Sequence, residues 1–391
     1  VALVQNRATL LSLTSDRPAI KSLRELQDHS LLKVALVRGF DYGPAYQELL
    51  SVLGKQGRLI LDVDALSIAP VFDFDTDSCL PSAGISRNGD MNAGLKPSGH
   101  LTGQCRTASF LDSSNTVHRH ACASSGGKTY CGHFYALYFE KDQVLNNVQS
   151  GHRHDWEHAA VWTTDGVVTH GSYSAHGKLT TAAASQLDFQ NGHLKIVYHK
   201  DGGLTHALRF SRMGEIAENP YGSFVTPAIT SWHVLSGDGW NNLVMRTLLD
   251  NFDYGSANLP VTDGRFLNGL NTYRPAGYPA FTDADVAAAN PGANAPFVQL
   301  VNYASGLCMD INNAVMANGT NVMQWTCSGA SWQKWHLEPA TGMIRSMRDP
   351  RFCLDNGGTF ANGANIMIWT CHGGNSQRFV NQVVDTGIHE T

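Results

Sequence analysis

Long hydrophobic runs and an excess of charge are both missing from this chain. No apolar stretch reaches the ~18 residues that a bilayer-crossing helix requires, so no segment reads as a membrane span. Charged residues supply 16% of the composition and balance to a net −5, which leaves no bulk electrostatic case for binding nucleic acid. The His-Glu-x-x-His pattern is absent, which disfavours a helix-borne zinc protease, and no Cys-x-x-Cys pair suggests a thiolate metal site. Glycine, by contrast, is plentiful at 38 residues, and hydrophobic residues stand at 42%. That profile predicts a loop-rich, mainly β protein, and 391 residues are enough for two or three domains.

The eight cysteines fall into four local pairs, Cys79 with Cys105, Cys122 with Cys131, Cys308 with Cys327, and Cys353 with Cys371. An even count without metal spacing favours disulfides and an oxidising compartment, although this pairing is one of about 105 connectivities. Each closed loop contributes ~2–4 kcal/mol by restricting the unfolded chain. The sequence opens at Val1 without a leader, as expected of a processed, secreted, extracellular protein.

The densest chemistry lies in Gly151-His152-Arg153-His154-Asp155-Trp156-Glu157-His158, which runs directly into the apolar Ala159 to Trp162. Any one of these side chains alone would be satisfied by ordinary hydrogen bonds. Together they crowd ionisable groups beside a strand, and a bound cation is the usual compensation. With a period of two, Asp155 and Glu157 share one face, while Trp156, His158, Ala160 and Trp162 share the other, which reads as buried. His152 has the wrong parity for the carboxylate face and joins it only if it sits in a loop before the strand. An oxygen-rich set with one imidazole suits Mg or Ca better than Zn. Asp155 and Glu157 also fit an acid and base pair of a glycoside hydrolase, since carboxylates two apart on a strand lie ~6–7 Å apart at Cα.

Along the chain, residues 1–57 read as a helical extension, with starts at Asp16-Arg17-Pro18 and at Pro44. Residues 58–275 carry short β-like runs, at Arg58 to Val63, Phe134 to Glu140, Ala159 to Trp162, Leu194 to His199 and Ala207 to Phe210. One amphipathic helix, Asn241 to Asp250, interrupts them. Residues 276–295 read as a linker. Residues 296–391 hold an internal repeat. Cys308-Met309-Asp310 recurs 45 residues on as Cys353-Leu354-Asp355, and Trp325-Thr326-Cys327 and Gln333-Lys334-Trp335 recur one residue closer, as Trp369-Thr370-Cys371 and Gln377-Arg378-Phe379. An aromatic face with a nearby Asp is what a shallow sugar site needs.

Gly151 to Glu157 reproduces in full the hallmark heptapeptide of the NLP family, the necrosis- and ethylene-inducing-peptide-like cytolysins, and the middle region resembles that family. Further matches follow in order at Gly94-Leu95-Lys96-Pro97-Ser98-Gly99, Tyr138 to Asp142, Ser174 to Gly177, Val197 to Gly202 and Asp253 to Pro260. The resemblance implies a β-sandwich related to actinoporins and flanked by helices, and a secreted protein that holds a divalent cation. It also implies recognition of glycosylated sphingolipid head groups of plant plasma membranes, bilayer damage, and no catalysis. The implied metal ligands are Asp142, His152, Asp155 and Glu157, with Arg153, His154 and Trp156 around them. Two extra residues separate Asp142 from the heptapeptide, and Glu140 stands where the family has Pro. Trp232 or Trp240 is expected to touch the bilayer.

The last segment resembles a ricin-type β-trefoil lectin, which implies glycan binding at Asp310, Trp325 and Gln333 and at Asp355, Trp369 and Gln377. Two repeats are present where a closed trefoil uses three, so a partial β-trefoil is expected.

Overall fold

The computed structural model describes residues 67–289 and 297–379, apart from Leu204, Pro220, Val234, Gly239, Tyr303, Pro339 and Ala340, together with the backbone of two short N-terminal strands. Residues 1–68 and 69–391 form two compact units. In the first, β1 (Ala2–Val4) pairs antiparallel with β2 (Thr9–Leu11), so these residues are strand where the sequence suggested helix. The helices expected from Asp16 and Pro44, and the strand expected at Arg58 to Val63, lie outside the described residues.

The second unit begins with β3 (Val71–Phe74), the short helix α1 (Phe110–Ser113), and the long hairpin of β4 (Thr116–Ser125) and β5 (Lys128–Asp142). There follow β6 (His152–Thr164), β7 (Val167–Ala175), β8 (Lys178–Ala183), β9 (Phe189–Gln190), β10 (His193–Asp201), β11 (Thr205–Phe210) and β12 (Ile229–Ser231). One sheet has the order β12-β4-β5-β6-β7-β8, and the other is β11-β10-β3 with β9 on β10. The strand runs expected at Phe134, Ala159, Leu194 and Ala207 lie within β5, β6, β10 and β11.

Both faces of the larger sheet are covered, and this explains why β5 is apolar almost without interruption. On one face, Phe134, Ala136 and Tyr138 of β5 join Trp156, Ala160 and Trp162 of β6 in a buried cluster. That cluster is closed by α2 (Asn242–Asn251) and α3 (Phe266–Tyr273) through Val244, Met245, Leu248, Leu249, Phe266 and Leu270. On the opposite face, Phe139 stacks on Tyr198 of β10 at 4.0 Å, and Tyr173 of β7 meets Phe210 of β11 edge-on at 4.8 Å. The result is a sandwich flanked by helices. Trp162 is fully buried, so truncating it to Ala is expected to destabilise the fold by about 3–5 kcal/mol.

The segment read as a linker is partly structured. Tyr278 and Phe281 enter the helix-side core, and α4 (Asp283–Ala288) starts at a Thr282–Asp285 capping box. Its Ala-rich composition masked that signal.

The C-terminal part contains β13 (Val298–Gln299), β14 (Cys308–Ile311), β15 (Thr320–Trp325), β16 (Lys334–Glu338), β17 (Met343–Ser346), β18 (Phe352–Asp355) and β19 (Met367–Thr370). They form one sheet, β13-β16-β17-β18-β19-β15-β14, around Ile311, Trp335, Leu354 and Ile368. The two lobes meet where Thr320 of β15 pairs with Ile368 of β19. All four expected disulfides are present.

Candidate functional site

The heptapeptide opens β6, and the strand is bent inside it. Asp142 and His152 face each other across the β5–β6 ladder, but the Glu140–His154 step of that ladder is missing. At that step His154 adopts φ +60°, the left-handed region that non-glycine residues rarely occupy. The bend places His152 on the cavity that Asp155 and Glu157 line. His152 is therefore within the strand, and the bend at His154, rather than a preceding loop, overrides its parity. The His152 Nδ1 lies 2.7 Å from the carbonyl of His154, which fixes the ring.

Asp155 and Glu157 share one face, as their spacing predicts, and that face meets the smaller sheet. Tyr198 of β10 donates its hydroxyl to Asp155 Oδ2 at 3.0 Å, and Ser174 of β7 donates to Glu157. Burial, followed by the charge of Asp142, pushes Asp155 up to about 7. Burial, followed by Asp155, holds Glu157 well above the usual carboxylate range.

Asp142 stands behind this pair and is almost fully buried. Its oxygens accept from the His206 amide at 3.0 Å and from Thr205, and Oδ1 is 2.7 Å from His206 Nδ1. His152 Nε2 is 3.7 Å from Asp142 Oδ2. The structure thus brings His152, Asp155 and Glu157 to one cavity of about 700 Å³, with Asp142 bracing β11 beneath His152. The four donor groups are not drawn into a tight cage. Among the described residues, the group whose ligand atoms all lie within 4.8 Å of one another is His118, His120 and His133.

The donor set nonetheless fits a hard divalent cation. Two buried carboxylates and an imidazole face a cavity, and burial, with the charge of Asp142 beside Asp155 and of Asp155 beside Glu157, raises both carboxylates, which a positive ion would reverse. Asn258, Arg265 and Tyr273 also line the cavity, so the Asp253 to Pro260 motif helps to enclose it.

Arg153 and His154 hold the surroundings. Arg153 donates to the Ala93 carbonyl at 2.8 Å and pins the Gly94 to Gly99 segment, while His154 Nδ1 lies 2.6 Å from the Tyr138 hydroxyl. Trp156 packs edge-on against Tyr254, with ring centroids 5.7 Å apart. Gly151 has φ +75°, and a Cβ there would stand 2.1 Å from the Asp142 carbonyl oxygen. Ser174, Tyr198, Thr205 and His206 received no role from the sequence. Ser174 and Tyr198 lie inside motifs that were visible, but their contacts depend on how two sheets face each other.

Trp232 is fully buried and its Nε1 is 3.3 Å from Asp263, so it does not contact a bilayer. Trp240 is half-buried and donates to the Asn88 carbonyl at 2.9 Å, which ties it to a loop rather than to lipid. The exposed apolar side chains near the site are instead Leu145 and Val148, on the β5–β6 loop.

In the C-terminal lobes, Trp325 and Trp369 are exposed. Each stands opposite a disulfide cysteine, two residues along the ladder from the Asp310–Met323 or Asp355–Met367 pair. Asp310 and Asp355 are buried, and so are Gln333 and Gln377. The Gln333 amide donates to Asp310 at 2.7 Å and to the Thr326 carbonyl at 2.9 Å. Gln377 donates to the Thr370 carbonyl and accepts from the His372 amide. The glutamines therefore lock loops, and the tryptophans are the exposed members of each set.

With this geometry in view, the family model described as Necrosis inducing protein (NPP1) matches residues 63–273, and the Ricin-type beta-trefoil lectin domain matches 296–391. NLP effector protein 10 of Phytophthora capsici is 28% identical over 202 residues, which is 50% of this chain and 76% of the relative. Necrosis-inducing protein NPP1 of Phytophthora nicotianae is 28% identical over 209 residues, 51% of this chain and 77% of the relative. Among solved structures, NLPPya in complex with mannosamine is 26% identical, covers 56% of this chain and 89% of that chain, and has a TM-score of 0.41. The chain belongs to the necrosis inducing protein (NPP1) family and carries a ricin-type lectin domain at its C-terminal end.

Proposed function

We propose that the protein is an extracellular cytolysin that reads a glycosylated sphingolipid head group of plant membranes through the cavity of His152, Asp155 and Glu157 and then damages the bilayer, without turnover. The observation that carries this reading is the pair of buried carboxylates on a cavity wall, both driven toward protonation in the absence of a counter-charge. A bound Mg or Ca ion would neutralise them and offer open coordination positions to sugar hydroxyls. Tyr198 and Ser174 orient the carboxylates, the His154 carbonyl orients His152, and Asp142 anchors the strand end beneath them. Asn258 and Arg265, which also line the cavity, offer hydrogen bonds to a polar head group. Leu145 and Val148, 46% and 52% exposed, give the rim an apolar edge for the bilayer. Trp325 and Trp369 would stack on glycans at the cell surface.

The test is dye leakage from vesicles with and without glycosylated sphingolipid. Leakage is expected only with that lipid, and to fall at least tenfold with EDTA or in Asp155→Ala. Equal leakage under all three conditions would discard the cation step.

The raised carboxylates also favour a second reading, since a general acid of a glycoside hydrolase needs an elevated pKa. Release of sugar from plant or microbial glycans, abolished in Glu157→Gln, would select it.

A further inference from the structure

A second cluster of ligand-type side chains lies in the β4–β5 hairpin, away from the carboxylate cavity. The hairpin turns at Gly126 and Gly127, both at positive φ. Its register sets His120 opposite His133, His118 opposite Tyr135, and Cys122 opposite Cys131, so all these residues share one face of the sheet. His118 and His133 are buried, and His120 is half-buried, leaving one side open. The two cysteines are joined to each other and are not available as ligands.

One nitrogen of each ring lies within 4.8 Å of a nitrogen of the other two. His118 Nε2 and His133 Nδ1 are 3.2 Å apart. The ring centroids are separated by 5.5 Å for His118 and His120, 5.4 Å for His118 and His133, and 5.1 Å for His120 and His133. Interplanar angles are only 13° to 21°. A nitrogen-to-nitrogen approach of 3.2 Å at a centroid spacing of 5.4 Å means that His118 and His133 meet edge to edge, not face to face. Three imidazoles on one ion at about 2.0–2.1 Å would place their nitrogens about 3.3 Å apart and their centroids about 5.2–5.5 Å apart. The centroid triangle and the His118–His133 nitrogen pair already have that size, and the third ring offers a nitrogen within 4.8 Å of both.

We propose that His118, His120 and His133 form a site for a single imidazole-preferring transition ion, zinc(II) in particular, with an open coordination position on the His120 side. The donor set is all nitrogen, so it selects a different class of metal from the oxygen-rich cavity of Asp155 and Glu157. Occupied, it would tie β4 to β5 beside the Cys122–Cys131 disulfide.

The experiment uses the full chain, stripped of metal, in excess Mg to fill the carboxylate site, titrated with zinc(II) and in parallel with cobalt(II). One zinc per chain is expected, with visible cobalt bands of four-coordinate intensity. His120→Gln, the least buried of the three positions, is expected to lose at least tenfold in zinc affinity with an unchanged circular dichroism spectrum. Asp155→Asn is expected to bind zinc as the parent does. Anomalous scattering at the zinc edge from wild-type crystals gives a readout that does not depend on any variant folding, and a peak between the three rings is expected. No saturable zinc, equal affinity in His120→Gln, loss of zinc in Asp155→Asn, or a zinc peak elsewhere would each overturn the assignment.

Discussion

The site turns on a few residues whose backbone or burial admits no ordinary substitute. Gly151 combines positive φ with direct approach to the Asp142 carbonyl, so Gly151→Ala is expected to destabilise the protein by at least ~2 kcal/mol and to weaken cation binding. Chemical denaturation and calorimetric titration read the two effects. Asp155 gives a pH signature. Its folded pKa, about 7, lies above the ordinary 3.8, so between those values the folded state binds the extra proton and stability falls as pH rises. Asp155→Asn lacks that penalty. In chelator it should melt higher than the parent at pH 8, with the difference vanishing toward pH 4. Saturating Mg or Ca should reverse the order at pH 8. A parent that melts at or above the variant throughout the chelated series would contradict the assigned environment of Asp155.

At the scale of elements, the alternation along β6 was legible because a sheet strand has a strict period of two, and Asp155 with Glu157 against Trp156 with Trp162 obeys it. The bend at His154 was not legible, since nothing in the local composition demands left-handed backbone at a histidine. It is therefore a point to test. His154→Asn tolerates positive φ and should keep cation affinity within about threefold, whereas the β-branched His154→Val should lose about tenfold or more by swinging His152 off the cavity. Titration calorimetry separates them. The α2 helix was readable from its apolar stripe, and its cap is specific: Asn241 accepts from the Val244 amide at 3.1 Å. Asn241→Ala is expected to lose about 1 kcal/mol. The lectin repeat was legible from its 45-residue period, yet the locking role of Gln333 and Gln377 was not, because a buried amide and a ligand-facing one look alike in sequence.

At the scale of the molecule, the lectin lobes are fastened to the sandwich at both ends of α2. Asn241 donates to Glu338 at 3.0 Å, and Asn251 donates to the carbonyls of Met347 and Arg348 at 2.6 and 3.2 Å. Arg351, held by Asp349, reaches Asp90 at 3.4 Å. These bonds are exposed, each worth about 0–1 kcal/mol, and no sequence motif announced them. Asn251→Ala with Arg351→Ala is therefore expected to leave the main melting transition within about 2 °C while speeding proteolytic separation of the two parts severalfold, as gel analysis of a timed digest would show.

The same fastening has a mechanical corollary. The apolar stripe of α2 packs in the same core as Trp156 and Trp162 of β6, so the helix that holds the lectin lobes also supports the strand that carries Asp155 and Glu157. On the proposed reading of both parts, a load on the lectin lobes and the shape of the cavity would be linked by a single lever.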